Sequence, residues 1–183
     1  MRGIERRLDA GLKPDVGSVA SVFVSRWDAA VASEGPDALR NQLGIAVAER
    51  TYAAARNLLG SPRWHRIYNL GARPQRLLWA STGAKDPKVS DVLYVKALAA
   101  PFTVNTMPES TLNALAQHSD LVSILPPGGG DCEEVLARFA ETGIDTDVLA
   151  AQLQEEGAKA FVKSWNELLE CVDSKTAAIK KAG

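Results

Sequence analysis

The stretch RLLWASTGAKDPKVSD, residues 76–91, decides the fold class because it joins a short apolar run to a polar ending. Its first part, Arg76–Thr82, is apolar without strict alternation, which is typical of a strand covered on both faces. Ser81, Thr82 and Lys85 then follow at the end of that strand. Polar residues at this place are explained either by an ordinary turn or by a ligand site, since ligands of α/β barrels lie at the C-terminal ends of the strands.

Two other segments resemble this strand, and helical patterns separate all three. Ser18–Ser25 (SVASVFVS) is rich in apolar and β-branched residues, and Phe102–Met107 (FTVNTM) has a weaker pattern of the same kind. The predicted helices are Pro36–Leu59, a short helix from Ser61, Ser90–Leu98 and Pro108–Ser119. This alternation predicts an α/β protein with three parallel strands.

The chain becomes wholly helical after the segment Pro126–Gly130. We therefore predict two parts: residues 1–125 as an α/β unit, and residues 126–183 as a helical segment that packs on it. Gly143 and Gly157 are predicted to end helices. The three glycines at 128–130 do not predict a phosphate-binding loop, because no strand precedes them and no Lys-Ser/Thr pair follows.

Composition excludes several classes of protein. The 183 residues include 46% hydrophobic ones, enough for a core, and 21 basic against 22 acidic residues give a formal charge of -1. No block of Lys and Arg indicates a nucleic-acid or membrane surface. The two cysteines belong to no metal-binding cluster. No apolar run approaches the roughly 18 residues of a membrane span, so we expect a cytoplasmic protein without a membrane or nucleic-acid partner.

Four stretches together resemble the C-terminal half of bacterial transaldolases. They are SVASVFVSRWD, RPQRLLWASTGAKDPKVSDVLYVKAL, PFTVNTMPESTLNAL and GIDTDVLAAQLQEEGAKAFVKSWNELLECV. The resemblance runs almost from end to end and is far more specific than one short motif. It implies a partial (β/α)8 barrel of the class I aldolase type, in which the three strands correspond to strands six to eight, followed by an extended C-terminal helical region.

The resemblance also implies a reaction. Transaldolases of the pentose phosphate pathway transfer a dihydroxyacetone unit between sugar phosphates through a Schiff base on a lysine, without a metal or an organic cofactor. In the family this lysine lies on the fourth strand, in a stretch resembling IKIPAT, and no such stretch occurs in this sequence. We therefore expect no catalytic residue in the chain, and no activity from it alone.

Two functional hypotheses follow from this departure. In the first, the chain is the C-terminal portion of a transaldolase, completed by the missing N-terminal half or by a second copy of itself. In the second, it is a non-catalytic truncated paralogue that acts as a sugar-phosphate-binding or oligomeric interaction module. The first hypothesis predicts a sugar phosphate as the ligand, and the second predicts either a sugar phosphate or another protein chain.

Three candidate binding residues belong to the first predicted strand and its end. Arg26 matches a family arginine that contacts the substrate phosphate, which suits a planar guanidinium; the alternatives are pairing with Asp28 or stacking on Trp27. Ser21 and Phe23 alternate with their neighbours and so share one face of a strand. The resemblance implies that Ser21 contacts the sugar and that Phe23 lines the pocket, although a phenylalanine in a strand is equally a core residue.

Two further candidates lie at the end of the second predicted strand and in the loop after it. The resemblance implies that Ser81 lies near the substrate and that Lys85 holds the phosphate, while a solvated turn is the alternative for Lys85. We do not expect Lys85 to be a Schiff-base nucleophile, because a hydrated lysine beside Asp86 stays protonated. Asn105 and Thr106 end the third strand and either line the same site or cap the strand.

Overall fold

The computed structural model describes residues 1–34, 36–84, 89–117 and 123–182 of the chain, with side chains to Lys180. Its strands are β1 (Val19–Phe23), β2 (Arg76–Ala80) and β3 (Val104–Asn105). Its helices are α1 (Arg2–Asp9), α2 (Val24–Ala30), a 3-10 turn (Asp37–Leu39), α3 (Leu43–Leu59), α4 (Pro62–Asn69), α5 (Leu93–Ala97), α6 (Glu109–Gln117), α7 (Cys132–Glu141) and α8 (Thr146–Ala182).

The three strands form one parallel sheet in the order β1, β2, β3, which confirms the predicted α/β class. The register places Phe23 beside Ala80 and Leu78 beside Val104. Successive strands therefore run in the same direction with helices between them, as in part of a (β/α)8 barrel. The third strand is shorter than predicted, because Phe102 has φ +62° and cannot continue an extended strand.

One face of the sheet is covered by helices. Trp79 is fully buried in a core that contains residues of α2, α3 and α5, and Val22, its partner in the register, packs against that core. The Trp79 indole N–H donates to the Leu98 carbonyl at 3.0 Å. Because side chains alternate along a strand, Ser21 and Phe23 lie on the opposite face.

Helix α2 begins where the sequence predicts continued strand. The apolar run Ser18–Ser25 extends past β1, but the chain turns at Phe23 and becomes helical from Val24. The Ser25 N–H then donates to the Ser81 carbonyl at 3.1 Å, which satisfies one of the free amides at the helix start. The prediction that Arg26 closes the strand is therefore wrong, since Arg26 lies in α2.

The predicted helix Pro36–Leu59 is divided at Asn41, which has φ +59°. Helix α3 instead starts at Leu43, and its early Gly44 N–H donates to the buried Asp28 carboxylate at 3.2 Å. The Tyr94 hydroxyl donates to the other oxygen of Asp28 at 2.9 Å. A carboxylate from α2 thus takes the place of a local cap.

Two compact units account for the described chain: Met1–Thr142 and Gly143–Gly183. In the first, α7 packs against α3 and buries Leu136 and Phe139. The second consists mainly of α8, in which Gly157 lies inside the helix rather than at the predicted end. The predicted division at residue 126, with the second part packed on the first, stays a prediction. Within the described residues, no helix combines the length and the apolar character that a membrane crossing requires.

Candidate functional site

The ends of β1 and β2 meet at a pair of serines. Ser25, at the start of α2, and Ser81, directly after β2, have their hydroxyl oxygens 2.7 Å apart. Ser25 is only 3% exposed, whereas Ser81 is half-buried. Two hydrogen bonds, one from the backbone and one between hydroxyls, therefore join these residues. Because Ser81 is the more open of the two, its hydroxyl is the one that a ligand can reach.

The backbone of Ser81 is strained. Its φ is +55°, in the left-handed region that non-glycine residues seldom occupy. That conformation costs an L-residue about 1–2 kcal/mol, so the surrounding structure has to hold it. The bonds to Ser25 do so, and this type of strain clusters at binding and catalytic sites.

Thr82, the next residue, has a different role. Its side chain is fully buried, and its hydroxyl lies 2.8 Å from the Thr106 carbonyl and 3.0 Å from the Asn105 side-chain oxygen. The Thr106 N–H in turn donates to the Trp79 carbonyl at 2.9 Å. These hydrogen bonds connect the end of β2 to the end of β3. They favour the alternative in which Asn105 and Thr106 cap the strand and do not line the ligand site.

Arg26 lies against Phe23. The guanidinium carbon is 4.4 Å from the centre of the Phe23 ring, a cation–π contact. The Asp28 carboxylate, which the sequence offers as a partner, instead accepts from Gly44 and Tyr94. No carboxylate within the described residues forms an ion pair with Arg26. An anion near Arg26 would thus meet no competing carboxylate that pairs with this guanidinium in the described part of the chain.

Ser21 and Lys85 are the other two binding residues that the sequence predicts. Ser21 is exposed on the sheet face that also carries Phe23. Lys85 lies outside the described residues, so its phosphate-binding role stays a prediction. The structure thus gathers Phe23, Arg26 and Ser81 around the ends of β1 and β2, with Ser21 farther back along β1.

Buried acids lie on the helices rather than at the strand ends. Burial raises the pKa of Asp28, against hydrogen bonds from Gly44, Tyr94 and Leu43 that lower it. Burial and the nearby Asp131 raise the pKa of Glu49 in α3 to about 7. Neither carboxyl contacts Ser81 or Arg26 through a hydrogen bond in the described part of the chain. We therefore assign them to the packing of the helices.

A cavity of about 330 Å³ adjoins Ser25. It is lined by polar groups of Ser25, Asp28, Arg40 and Asn41 and by apolar side chains that include Phe139. The Asn41 side-chain nitrogen is buried there and has no hydrogen-bond partner among the residues that the structure describes. Within the residues described, no group of three or more His, Cys, Asp or Glu side chains is arranged to hold a metal ion.

These observations define the class of protein. A parallel α/β sheet has hydroxyls at its C-terminal strand ends, together with a guanidinium that pairs with no carboxylate among the described residues, and barrels of the aldolase type bind their ligands at these ends. The donors suit a phosphate or a hydroxylated carbon chain.

Comparisons with known proteins specify the family. Residues 5–172 match the family model of transaldolase/fructose-6-phosphate aldolase, and the chain belongs to this family. It is 43% identical to a transaldolase of Parafrankia sp. over 94% of this chain and 49% of the relative. It is 42% identical to one of Mycolicibacterium smegmatis over 99% of this chain and 51% of the relative. The chain thus spans about half the length of these curated relatives, as the resemblance predicted.

Sequence reasoning missed Ser25. In the predicted strand Ser18–Ser25 it was merely the last residue, with no assigned role. It becomes important only because a helix starts at Val24 and brings its hydroxyl to a residue 56 positions away. No local pattern reports that contact.

Proposed function

We propose that the chain is the C-terminal part of a transaldolase and supplies the phosphate and sugar contacts of its site. The complete protein would transfer a dihydroxyacetone unit between sugar phosphates in the pentose phosphate pathway. The Schiff-base lysine would come from the segment that corresponds to the other half of the relatives. Support comes from the family match over residues 5–172 and from relatives that are named transaldolases.

The position and the pairing of the Arg26 side chain are the main support for phosphate binding. Its guanidinium is held over Phe23 at 4.4 Å and forms no ion pair with the described carboxylates. A fixed planar cation at a strand end is suited to bidentate contact with a phosphate. We assign Ser81 and Ser21 to the sugar hydroxyls and leave Lys85 as a second phosphate contact. A soluble sugar-phosphate ligand also favours the cytoplasm as the location.

Calorimetric titration with fructose 6-phosphate tests the binding role. We expect the chain to bind the ligand, and Arg26→Ala to weaken binding roughly tenfold or more, because a charge-assisted hydrogen bond is lost. Arg56→Ala is the matched control, since Arg56 is an exposed arginine in the last turn of α3. Equal affinities of the two variants would contradict the role of Arg26.

Borohydride trapping tests where the nucleophile lies. We expect no covalent adduct when the chain alone is treated with fructose 6-phosphate and borohydride, because a hydrated surface lysine is protonated and does not attack a ketone. The transaldolase of M. smegmatis serves as the positive control. An adduct on any lysine of this chain would overturn the proposed division of roles.

The proposal also includes a structural partner. The described sheet has three strands, and a closed barrel of this type requires eight. The edge strands β1 and β3 each pair only with β2 among the described strands, and unpaired edges favour association. We propose that the N-terminal half, or a second copy of the chain, covers them.

A further inference from the structure

We propose that Ser25 is a positioning residue: it holds Ser81 in the left-handed conformation that directs the Ser81 hydroxyl to the sugar phosphate. This inference rests on the proposed function, because it concerns the same binding site. It assigns a role to a residue that the resemblance leaves without one.

The first step is the geometry of the pair. The Ser25 N–H donates to the Ser81 carbonyl at 3.1 Å, and the two hydroxyl oxygens are 2.7 Å apart. One residue thus holds both the backbone and the side chain of the other. A backbone bond alone would leave the Ser81 hydroxyl free to rotate among its staggered positions.

The second step is the difference in burial. Ser25 is 3% exposed and lies in α2, whose Val24 is part of the main core. A ligand at the strand ends therefore meets Ser81 and not Ser25. Any effect of Ser25 on binding has to pass through Ser81 or through the adjacent Arg26.

The third step is the strain at Ser81. Its φ of +55° is unfavourable for serine and persists only where neighbouring contacts enforce it. On its other side, Thr82 is fixed by its contacts with Asn105 and Thr106. Ser81 is therefore a strained link between the end of β2 and the loop after it, and Ser25 controls it.

A double-mutant cycle measures this coupling. We expect Ser25→Ala to weaken fructose 6-phosphate binding about fivefold by calorimetry, the effect of one lost hydrogen bond. In the Ser81→Ala background the same substitution should leave the affinity unchanged. An undiminished effect in that background, or no effect in the native one, would overturn the inference.

Ser61→Ala is the matched control for a merely structural effect. The Ser61 hydroxyl accepts from the Trp64 N–H at 3.2 Å and caps α4. Its loss should lower the thermal midpoint without changing affinity. If Ser25→Ala also lowers the thermal midpoint without changing the affinity, Ser25 only stabilises the contact between α2 and the end of β2.

A measurement without ligand separates this inference from the proposed function. The couplings between the Hα and Hβ protons of Ser81 report its side-chain torsion χ1 by NMR. Ser25→Ala removes the hydroxyl partner and keeps the backbone bond to the Ser81 carbonyl, so we expect the Ser81 side chain to change from one rotamer to an average over several, while φ stays left-handed. If the native chain does not bind the ligand, the proposed function fails, while an unchanged Ser81 conformation in the variant would refute the control of Ser81 by Ser25.

Discussion

At the scale of single residues, two adjacent hydroxyls after β2 are used for opposite purposes. Ser81 is half-buried and strained, whereas Thr82 is fully buried and points at two oxygen acceptors. The difference follows from the left-handed step at Ser81, which redirects the chain so that the next side chain faces the sheet. A residue proposed to bind the ligand and a structural residue can therefore be neighbours in sequence.

Replacement of the buried hydroxyl tests the structural half of this pair. Thr82→Val keeps the shape of the side chain but removes the one hydroxyl proton that the Thr106 carbonyl or the Asn105 side-chain oxygen can accept. We expect the free energy of unfolding to fall by about 1 kcal/mol, the typical net contribution of one hydrogen bond. The midpoint of urea denaturation measures this change.

Thr51→Val is the control for that experiment. The Thr51 hydroxyl donates at 2.7 Å to the Val47 carbonyl, which also accepts the helical N–H of residue 51. Its removal leaves no buried group unpaired, so we expect a change of less than about 0.5 kcal/mol. Equal losses in the two variants would contradict a specific role of Thr82.

At the scale of helices and strands, the predictable features were those with a local pattern. The strand at Arg76–Ala80 and the helix that follows Ser61 both have clear signals in the sequence, namely an apolar run and a capping serine before Pro62. The start of α2 and the break at Asn41 have none. Both depend on contacts across the fold: Ser25 with Ser81, and Asp28 with Gly44.

The close approach of α2 and α3 gives a sharp test at Gly44. A Cβ on this residue would lie 2.3 Å from the Val24 carbonyl oxygen and 2.7 Å from an Asp28 carboxylate oxygen. We expect Gly44→Ala to lower the free energy of unfolding by at least about 2 kcal/mol, because backbone has to move. Thermal unfolding followed by circular dichroism measures the loss.

Gly60 offers the matched control, since it follows α3 with φ -83° and the nearest atom to an added Cβ is 3.5 Å away. Gly60→Ala should be neutral or stabilise the chain by up to about 1 kcal/mol, through a smaller loss of backbone entropy. A similar loss in both variants would mean that the α2 and α3 contact is looser than described.

The interface of α3 and α7 predicts a dependence of stability on pH. The pKa of Glu49 is raised to about 7 by burial and by Asp131. The folded state then holds this proton more tightly than the unfolded state, so the free energy of unfolding falls as pH rises from about 4.5 to about 7. In Glu49→Gln that fall should be absent when urea midpoints are compared between pH 5 and pH 8.

Glu133→Gln is the control for this titration. Glu133 forms an exposed ion pair with Arg50 at 2.5 Å, and such pairs contribute little to stability. We expect it to retain the native slope between pH 5 and pH 8. If the stability of Glu49→Gln depends on pH as steeply as that of the native chain, other groups cause the pH dependence.

At the scale of the whole molecule, the family follows from the sequence, while the division of the chain at residue 126 stays a prediction. The sequence places a boundary at the Pro126–Gly130 segment because the composition changes there. The first compact unit nevertheless extends to Thr142, since α7 packs on α3. Burial along α8 is not predictable from spacing alone either. The helical spacing of Trp165 is typical of a core residue, but the residue is 60% exposed.

Two fragments distinguish these boundaries. A chain of residues 1–142 keeps the three buried residues of α7, Cys132, Leu136 and Phe139, whereas a chain of residues 1–125 loses them. Burial of a large apolar side chain contributes about 1.5–3 kcal/mol, and a domain is stable by only about 5–15 kcal/mol. We therefore expect the 1–142 fragment to unfold cooperatively on heating and the 1–125 fragment to lack a cooperative transition.

A point substitution in the full chain keeps this prediction independent of truncation. Phe139 is 1% exposed, so Phe139→Ala should lower the free energy of unfolding by about 3–5 kcal/mol through the lost contacts and the cavity left behind. Phe161→Ala, at a 62% exposed position of α8, is the control and should change it by less than about 1 kcal/mol. If the 1–125 fragment unfolds as cooperatively as the longer one and Phe139→Ala is neutral, α7 does not belong to the first unit. The change of composition at residue 126 would then mark the true boundary.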